Sequence, residues 1–395
     1  MFLAHEKRRS FQFVLLCAAY FLFSCSFNMP IPELPAYLSS LGGAKFLGLI
    51  ISLFTLTAGL SRPFSGKLAD TIGRIPVMVF GSLVCVGCSI LYPLLSTVSG
   101  FLFLRFFHGL STGFNPTGSF AYAADIIPLS RRGQAFGILG LCSTMGLAVG
   151  PALGSHVSNL YGISYMFYAS SLSALISVII LATMTETLHP KKSFSWRHLK
   201  VPRNQLFEPR ATGPAIVTFL LYASYGATLT LEPAVSLQSG LRNTGIFFTF
   251  FTIGSVGIRA FAGKIPDRFG RIPVLKVAGW VMLAGMAMIA VSAASWWLLS
   301  AALIYGLSMG LTAPAVSAWT IDLAHPGHRG RALSTMYIAM EAGIGLGALF
   351  SGWWYEKSGH GTLAIFLIMG LLALLSYLYL QFIYRGKPGT GKQPA

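Results

Sequence analysis

A chain of 395 residues that repeats itself once, at a constant offset of 197 residues, has little freedom in its architecture. Ser61 to Val77 (SRPFSGKLADTIGRIPV) returns as Ile258 to Val274 (IRAFAGKIPDRFGRIPV), identical at ten of seventeen positions. The register then holds without a gap. Gly109 aligns with Gly306, Gly113 with Gly310, Asp125 with Asp322, Gly133 with Gly330, Gly146 with Gly343 and Gly150 with Gly347. Two structurally equivalent halves in tandem are implied.

Hydrophobic residues make up 54% of the chain and charged ones 10%, where a soluble protein has roughly a quarter charged. With a mean hydropathy of +0.68 the chain reads as an integral membrane protein. Twelve apolar runs approach the ~20 residues that cross a bilayer as helix. They cover about 11–32, 46–68, 75–95, 100–125, 133–156, 163–185, 211–235, 243–264, 272–292, 296–323, 331–354 and 362–384. Six spans per half keep both repeats in one orientation, related by an axis along the membrane normal, the arrangement of a carrier whose site lies between its halves. The expected fold is all-α, with an N-terminal bundle over 1–185, a cytoplasmic linker over 186–210 and a C-terminal bundle over 211–395.

A net charge of +17 would point to nucleic acid if it formed one patch on a soluble domain. Instead, with the N-terminus inside, the tails, the even-numbered loops and their flanking helix ends hold 24 of the 28 Lys and Arg residues. Only Lys45, Arg242 and Lys357 fall outside them, and Arg105 lies within a span. This asymmetry predicts cytoplasmic termini and no nucleic-acid role. The basic start and first apolar run lack the cleavage site of a signal peptide and read as the first span. Cys17, Cys25, Cys85, Cys88 and Cys142 all sit in apolar runs, which implies no disulfide framework and, despite the CxxC spacing of Cys85 and Cys88, no metal. The polar stretch from Glu186 to Arg210 reads as a tether, with a possible surface helix near 194–199.

Both repeated segments fit G-x-L/I-x-D-x-x-G-R, with Gly66, Asp70, Gly73 and Arg74 in the first half and Gly263, Asp267, Gly270 and Arg271 in the second. Glycines permit tight turns and close helix approach, while an acid and a base at a helix end can pair or cap. The pattern resembles motif A of the major facilitator superfamily, and with twelve spans in two halves the resemblance covers essentially the whole chain. It implies that the loops latch the cytoplasmic side of the outward-facing state. Asp70 would then address the start of the eleventh span near residues 329–332, and Asp267 the fifth near 131–134. Arg74 and Arg271 have natural partners in Asp125 and Asp322. Thr71 and Ile75 stand where the family carries basic residues, which implies a weaker first latch.

The fifth span places Gly137, Gly146, Gly150, Pro151 and Gly154 in G-x8-G-x3-G-P-x2-G. Glycines four apart make a flat face for another helix, and Pro151 kinks it. This resembles motif C of the proton-coupled drug antiporters, although Ser155 replaces a final glycine. The second half keeps Gly343 and Gly347 but has Ala348 and Ser351 opposite Pro151 and Gly154, so one half alone carries the full motif. In the fourth span Arg105, His108, Thr112, Asn115, Ser119 and Tyr122 recur at three- and four-residue spacing, a polar stripe that must face protein or water. Arg105, His108 and Gly109 resemble motif B of the same exporters, where the arginine is implicated in proton coupling; the alternative is a structural hydrogen-bond hub.

Apart from latch and loop acids, three carboxylates lie in or near spans: Glu33, Glu232 and Glu341. Glu341, midway along the eleventh span and one turn from Tyr337, has to be protonated, paired or in contact with water. It can carry a proton, face a cationic substrate or simply pack a helix. Glu232, on a face with Thr228 and Tyr225, and Glu33, in NMPIPELPAY, lie near the outer edge, where capping and vestibule lining are both open. Tyr20, Ser24 and Asn28 give the first span a polar edge. The expectation is a monomeric secondary transporter of the bacterial inner membrane that exports a small amphipathic drug or metabolite in exchange for protons. No nucleotide-binding loop is present, no cofactor or metal is implied, and nothing groups as an enzyme active site. The SRPF stretch at Ser61 also resembles exporters of siderophores, metallophores and sugars. A facilitator or importer of the same fold is the alternative, with a non-transporting sensor behind it.

Overall fold

The structure, a computed structural model, describes residues 2–128, 132–188, 195, 207–262, 269–324, 329–359 and 361–384. Among them there are thirteen α-helices and no strand: α1 (Phe2–Asn28), α2 (Leu34–Ser40), α3 (Leu47–Ala69), α4 (Arg74–Leu91), α5 (Val98–Ile126), α6 (Arg132–Tyr161), α7 (Ile163–Thr183), α8 (Thr212–Gln238), α9 (Ile246–Ala262), α10 (Arg271–Ala290), α11 (Ser295–Leu323), α12 (Arg329–Lys357) and α13 (Leu363–Leu378). All but α2 match one of the twelve apolar runs, and ten are long and apolar enough to cross a membrane. The other two long helices are α5, 29 residues long but diluted by its polar stripe, and α9, whose 17 residues stop where the described residues do.

The repeat reappears in the helix starts. Arg74, Val98 and Arg132 open α4, α5 and α6, and the residues 197 further on, Arg271, Ser295 and Arg329, open α10, α11 and α12. Local sequence fixes these starts: Gly73 and Gly270 hold φ of 125° and 88°, a region that suits glycine, so the chain turns and re-enters a helix at the following arginine. The end of the first span departs from expectation. The first span was expected to reach residue 32, but α1 stops at Asn28. Pro30 and Pro32 donate no backbone hydrogen bond and push the residue before each of them out of the helical region. A turn follows before α2.

The chain forms two compact units, residues 1–37 with 56–202 and residues 38–55 with 203–395. In the first, α1 packs on α6 and α7, and α4 on α5 and α7. Ser65 Oγ donates to Gly113 O at 2.6 Å to join α3 to α5. In the second, α8 packs on α12 and α13, and α10 on α11 and α13. These pairings are the first unit's shifted by 197 residues. The opening of α3 belongs to the second unit, where Gly48 meets the backbone of Ala348, Leu349 and Gly352 on α12. Only glycine at that point lets two helix backbones come so close.

Candidate functional site

The first latch is built around Arg74. Its Nε donates to Asp125 Oδ2 at 3.0 Å, and its Nη1 donates to Asp70 and, at 2.6 Å, to Ala69 O. Asp70 itself is 72% exposed. At the N-terminus of α4, the Arg74 and Ile75 amides each donate to Glu186 at 3.0 Å, a carboxylate on the positive end of a helix dipole. Glu186 also accepts from the Thr187 and Leu188 amides, at 2.8 and 3.0 Å. A side chain at Gly73 would run into that carboxylate, whereas Gly66 has open space around it. In the second latch Arg271 Nε donates to Asp322 Oδ2 at 3.2 Å. Gly270 is described, while Gly263 and Asp267 lie outside the described residues.

The α5 stripe turns into the first bundle. Arg105 is 1% exposed and His108 0%. Asn115 Nδ2 donates to Ser82 Oγ and Met78 O on α4, at 2.9 and 3.2 Å. Ser119 donates back to Asn115 O at 2.9 Å. Tyr122 Oη lies 2.7 Å from Gln12 Oε1 and 2.8 Å from Thr185 O. On α1, Asn28 Nδ2 donates to Ser24 O at 2.8 Å, and Ser24 Oγ to Ser143 O on α6 at the same distance. These polar side chains are therefore satisfied by protein groups, as groups shielded from water must be.

The glycine face of α6 meets α1. A methyl at Gly150 would lie 2.7 Å from Cys25 O, one at Gly146 would meet Ser24, and one at Gly154 would run into Met29 O. Gly137, further along, has open space. Pro151 sits inside the helix. Ser155, the motif's departure, donates to Glu33 Oε1 at 2.7 Å, with Ser158 Oγ 3.5 Å from Oε2. Glu33 lies in the turn after α1, outside the spans. Burial pushes its carboxyl above the ordinary glutamate range, against the two serine hydrogen bonds, which pull it down.

In the second unit Glu341 is 7% exposed on α12 and Glu232 2% on α8. Glu232 accepts a hydrogen bond from Ser236 Oγ, one turn along the same helix. Tyr222 on α8 stands within electrostatic reach of three groups, Arg259, Tyr337 and Glu341. Arg259 Nε lies 3.4 Å from Gly310 O on α11. An aromatic row runs from Tyr222 to Tyr225, Phe251 and Tyr305, with ring centroids 6.4, 6.0 and 5.1 Å apart. A buried carboxyl beside phenols and a guanidinium can hold a proton or meet a charged ligand.

The family model of the Major Facilitator Superfamily matches residues 16–231 and again 214–395. This chain belongs to the major facilitator superfamily. The multidrug resistance protein MdtG of Enterobacter lignolyticus is 27% identical, covering 95% of this chain and 92% of that protein. The multi-drug resistance efflux pump PmrA of Streptococcus pneumoniae is 25% identical over 75% of this chain and 77% of that one. Among solved structures, the human organic anion transporter MFSD10 (TETRAN) superposes with a TM-score of 0.72 at 20% identity, covering 95% and 99% of the two chains, and bears on the fold alone. The chain is thus a multi-pass membrane transporter of a small molecule, not an enzyme.

Several residues that sequence reasoning passed over make contacts around these candidate sites. Glu186 and Glu208 were read as linker charge. Glu186 caps α4, and Glu208 pairs with Arg331 at the start of α12, 3.0 Å from Nη2. Arg259 was counted as topogenic, yet it lies inside α9 beside the α11 backbone. Its alignment with Arg62 in the repeat was the available signal.

Proposed function

We propose that this superfamily member is a proton-coupled exporter of small amphipathic molecules working by rocker-switch alternating access. The observation that carries the reading is the α6 face of Gly146, Gly150 and Gly154, with Pro151, seated on α1, the arrangement that the resemblance to motif C links to antiport. Similarity over nearly the whole chain to MdtG, and over three quarters of it to PmrA, supports export of drug-like compounds. In this reading Glu341 carries the proton, Arg105 and Glu232 modulate it, and Tyr337, His108, Asn115, Asn28 and Glu33 line the path. The loops around Arg74 and Arg271 stabilise the outward-facing state. Bundles 1–185 and 211–395 move about the 186–210 linker in a monomer of the bacterial inner membrane, with both termini in the cytoplasm.

The test is proton movement in sealed vesicles holding the purified protein under an imposed pH gradient. Lipophilic cations, sugars and metallophores are added in turn. Substrate-dependent dissipation that Glu341→Gln abolishes is the expected result. Substrate flux without proton movement would make the protein a facilitator. Coupling that survives Glu341→Gln would remove that residue from the mechanism.

A further inference from the structure

A second buried constellation lies in the first bundle, where α5 faces α4. Arg105 Nη1 is 3.5 Å from Tyr92 Oη, Tyr92 Oη is 3.2 Å from His108 Nδ1, and His108 Nε2 is 3.2 Å from Cys85 Sγ. All four side chains are essentially without solvent contact. The phenol has little room to swing. Its ring packs between Phe101 and Phe167, at 5.4 and 4.9 Å, and its own carbonyl accepts from Tyr37 Oη at 2.9 Å.

Donor and acceptor chemistry sets the direction of this chain. A guanidinium only donates, so the Tyr92 oxygen accepts from Arg105 and its hydroxyl hydrogen is left to point at His108 Nδ1. Nδ1 must then be bare, and the single proton of a neutral imidazole sits on Nε2, facing Cys85 Sγ. With the other neutral tautomer, or with an imidazolium, Nδ1–H would point at a phenol oxygen whose own hydrogen had lost its acceptor. The titratable groups at the ring are Arg105 on its own helix and Cys85 and Tyr92 from α4 and its last turn; Cys88 lies near Cys85 and Arg105, and the hydroxyls of Ser26 on α1 and Ser111 on α5 stand at Cys85.

We propose that Tyr92 and His108 are positioning residues for Arg105: they hold its guanidinium in place while His108 is the neutral Nε2–H tautomer, and a proton on His108 expels Arg105 from Tyr92. The two cations exclude each other across one hydroxyl, so occupancy by a proton is converted into movement of a side chain. The functional half of this rests on the reading of Arg105 as a coupling group; the tautomer half does not.

The experiment uses the full chain, labelled with 15N-histidine, in proteoliposomes. Solid-state NMR identifies His108 by the signal lost in His108→Gln. The expected spectrum at neutral pH is Nε2–H with bare Nδ1, and Tyr92→Phe, which keeps the ring and removes the hydroxyl, mixes the tautomers. An Nδ1–H ring in the unaltered protein, or a tautomer indifferent to Tyr92→Phe, overturns the proposal. In the same vesicles, with ethidium as probe, Tyr92→Phe is expected to lower proton-coupled flux about tenfold, as for a lost hydrogen bond to a charged group. It should flatten the pH profile and leave downhill ethidium flux within about twofold. Equal loss of both fluxes would reduce Tyr92 to a structural role. Ethidium flux with no proton movement in the unaltered protein would remove the coupling reading and the expulsion step with it, while the tautomer result would stand.

Discussion

The seam between α1 and α6 and its repeat, the seam between α8 and α12, share a packing solution and differ in chemistry. In the first, the glycines sit on one helix, with Gly146, Gly150 and Gly154 of α6 against Ser24, Cys25 and Met29. In the second they sit on both, Gly343 and Gly347 of α12 meeting Phe219 and Ala223, and Gly226 of α8 meeting Ile344. The carboxyls are not repeated. Thr144 occupies the position equivalent to Glu341. Ser155 bonds Glu33 at 2.7 Å, while its counterpart Gly352 presses on Gly48. Backbone approach, which any pair of membrane helices gains from, is kept in both halves. The carboxyls in or near the spans, costly when ionised in a bilayer, appear once each.

If close backbone approach is the shared requirement, enlarging it should fail in both halves. Gly347→Val would drive a branched side chain into Ala223 O, and Gly154→Val into Met29 O. Each is expected to cost about 3 kcal/mol or more, the upper end of overpacking, read as a fall in detergent melting temperature and folded yield. Gly137→Ala, where nothing stands within 4 Å, should be neutral or slightly stabilising, because alanine favours a helix by up to ~1 kcal/mol. A tolerant Gly347 beside an intolerant Gly154 would break the equivalence of the seams.

The latches differ in a comparable way. Arg74 and Arg271 reach equivalent aspartates at 3.0 and 3.2 Å, but the residue equivalent to Glu186 is Ile383. Glu186→Gln keeps the shape of the cap and removes its charge, so the four amides that point at it lose a carboxylate. A loss of about 1.5 kcal/mol is expected, the value of a hydrogen bond to a charged group. Hydrogen exchange should quicken in the first turn of α4 and stay unchanged in the first turn of α10. Equal quickening at both would mean that the cap acts on the whole molecule rather than on one latch.

Regularity decided how much of this was legible in the sequence. The spans and repeat follow from hydropathy and register, because a bilayer leaves helices as the solution for an apolar chain of this kind, and α4, α5 and α6 begin 197 residues before α10, α11 and α12. The stripe from Arg105 to Tyr122 was legible as a face, since three- and four-residue spacing defines one, but spacing says nothing of the partners that α4 supplies. Glu186 was illegible in its role. The amides it caps lie over a hundred residues earlier, and a lone acid in a basic linker carries no periodic signal. The early end of α1 was legible in principle, in the prolines at 30 and 32, and was masked by the apolar residues around them.

The smallest effect is expected at Glu33, and it tests whether the Ser155 departure matters. Because burial raises the Glu33 carboxyl above its usual range, the folded state favours the protonated form. Its contribution to stability is full below the ordinary glutamate range and is lost as pH rises through the raised value. Melting temperature should therefore fall over that window more in the unaltered protein than in Glu33→Gln, whose neutral amide does not titrate. Ser155→Gly removes a hydrogen bond that favours the ionised form, so the window should move to higher pH. A window that ignores Ser155→Gly would mean that the serine is mere packing, and the two seams would then differ at Glu341 and Thr144 without any contribution from Glu33.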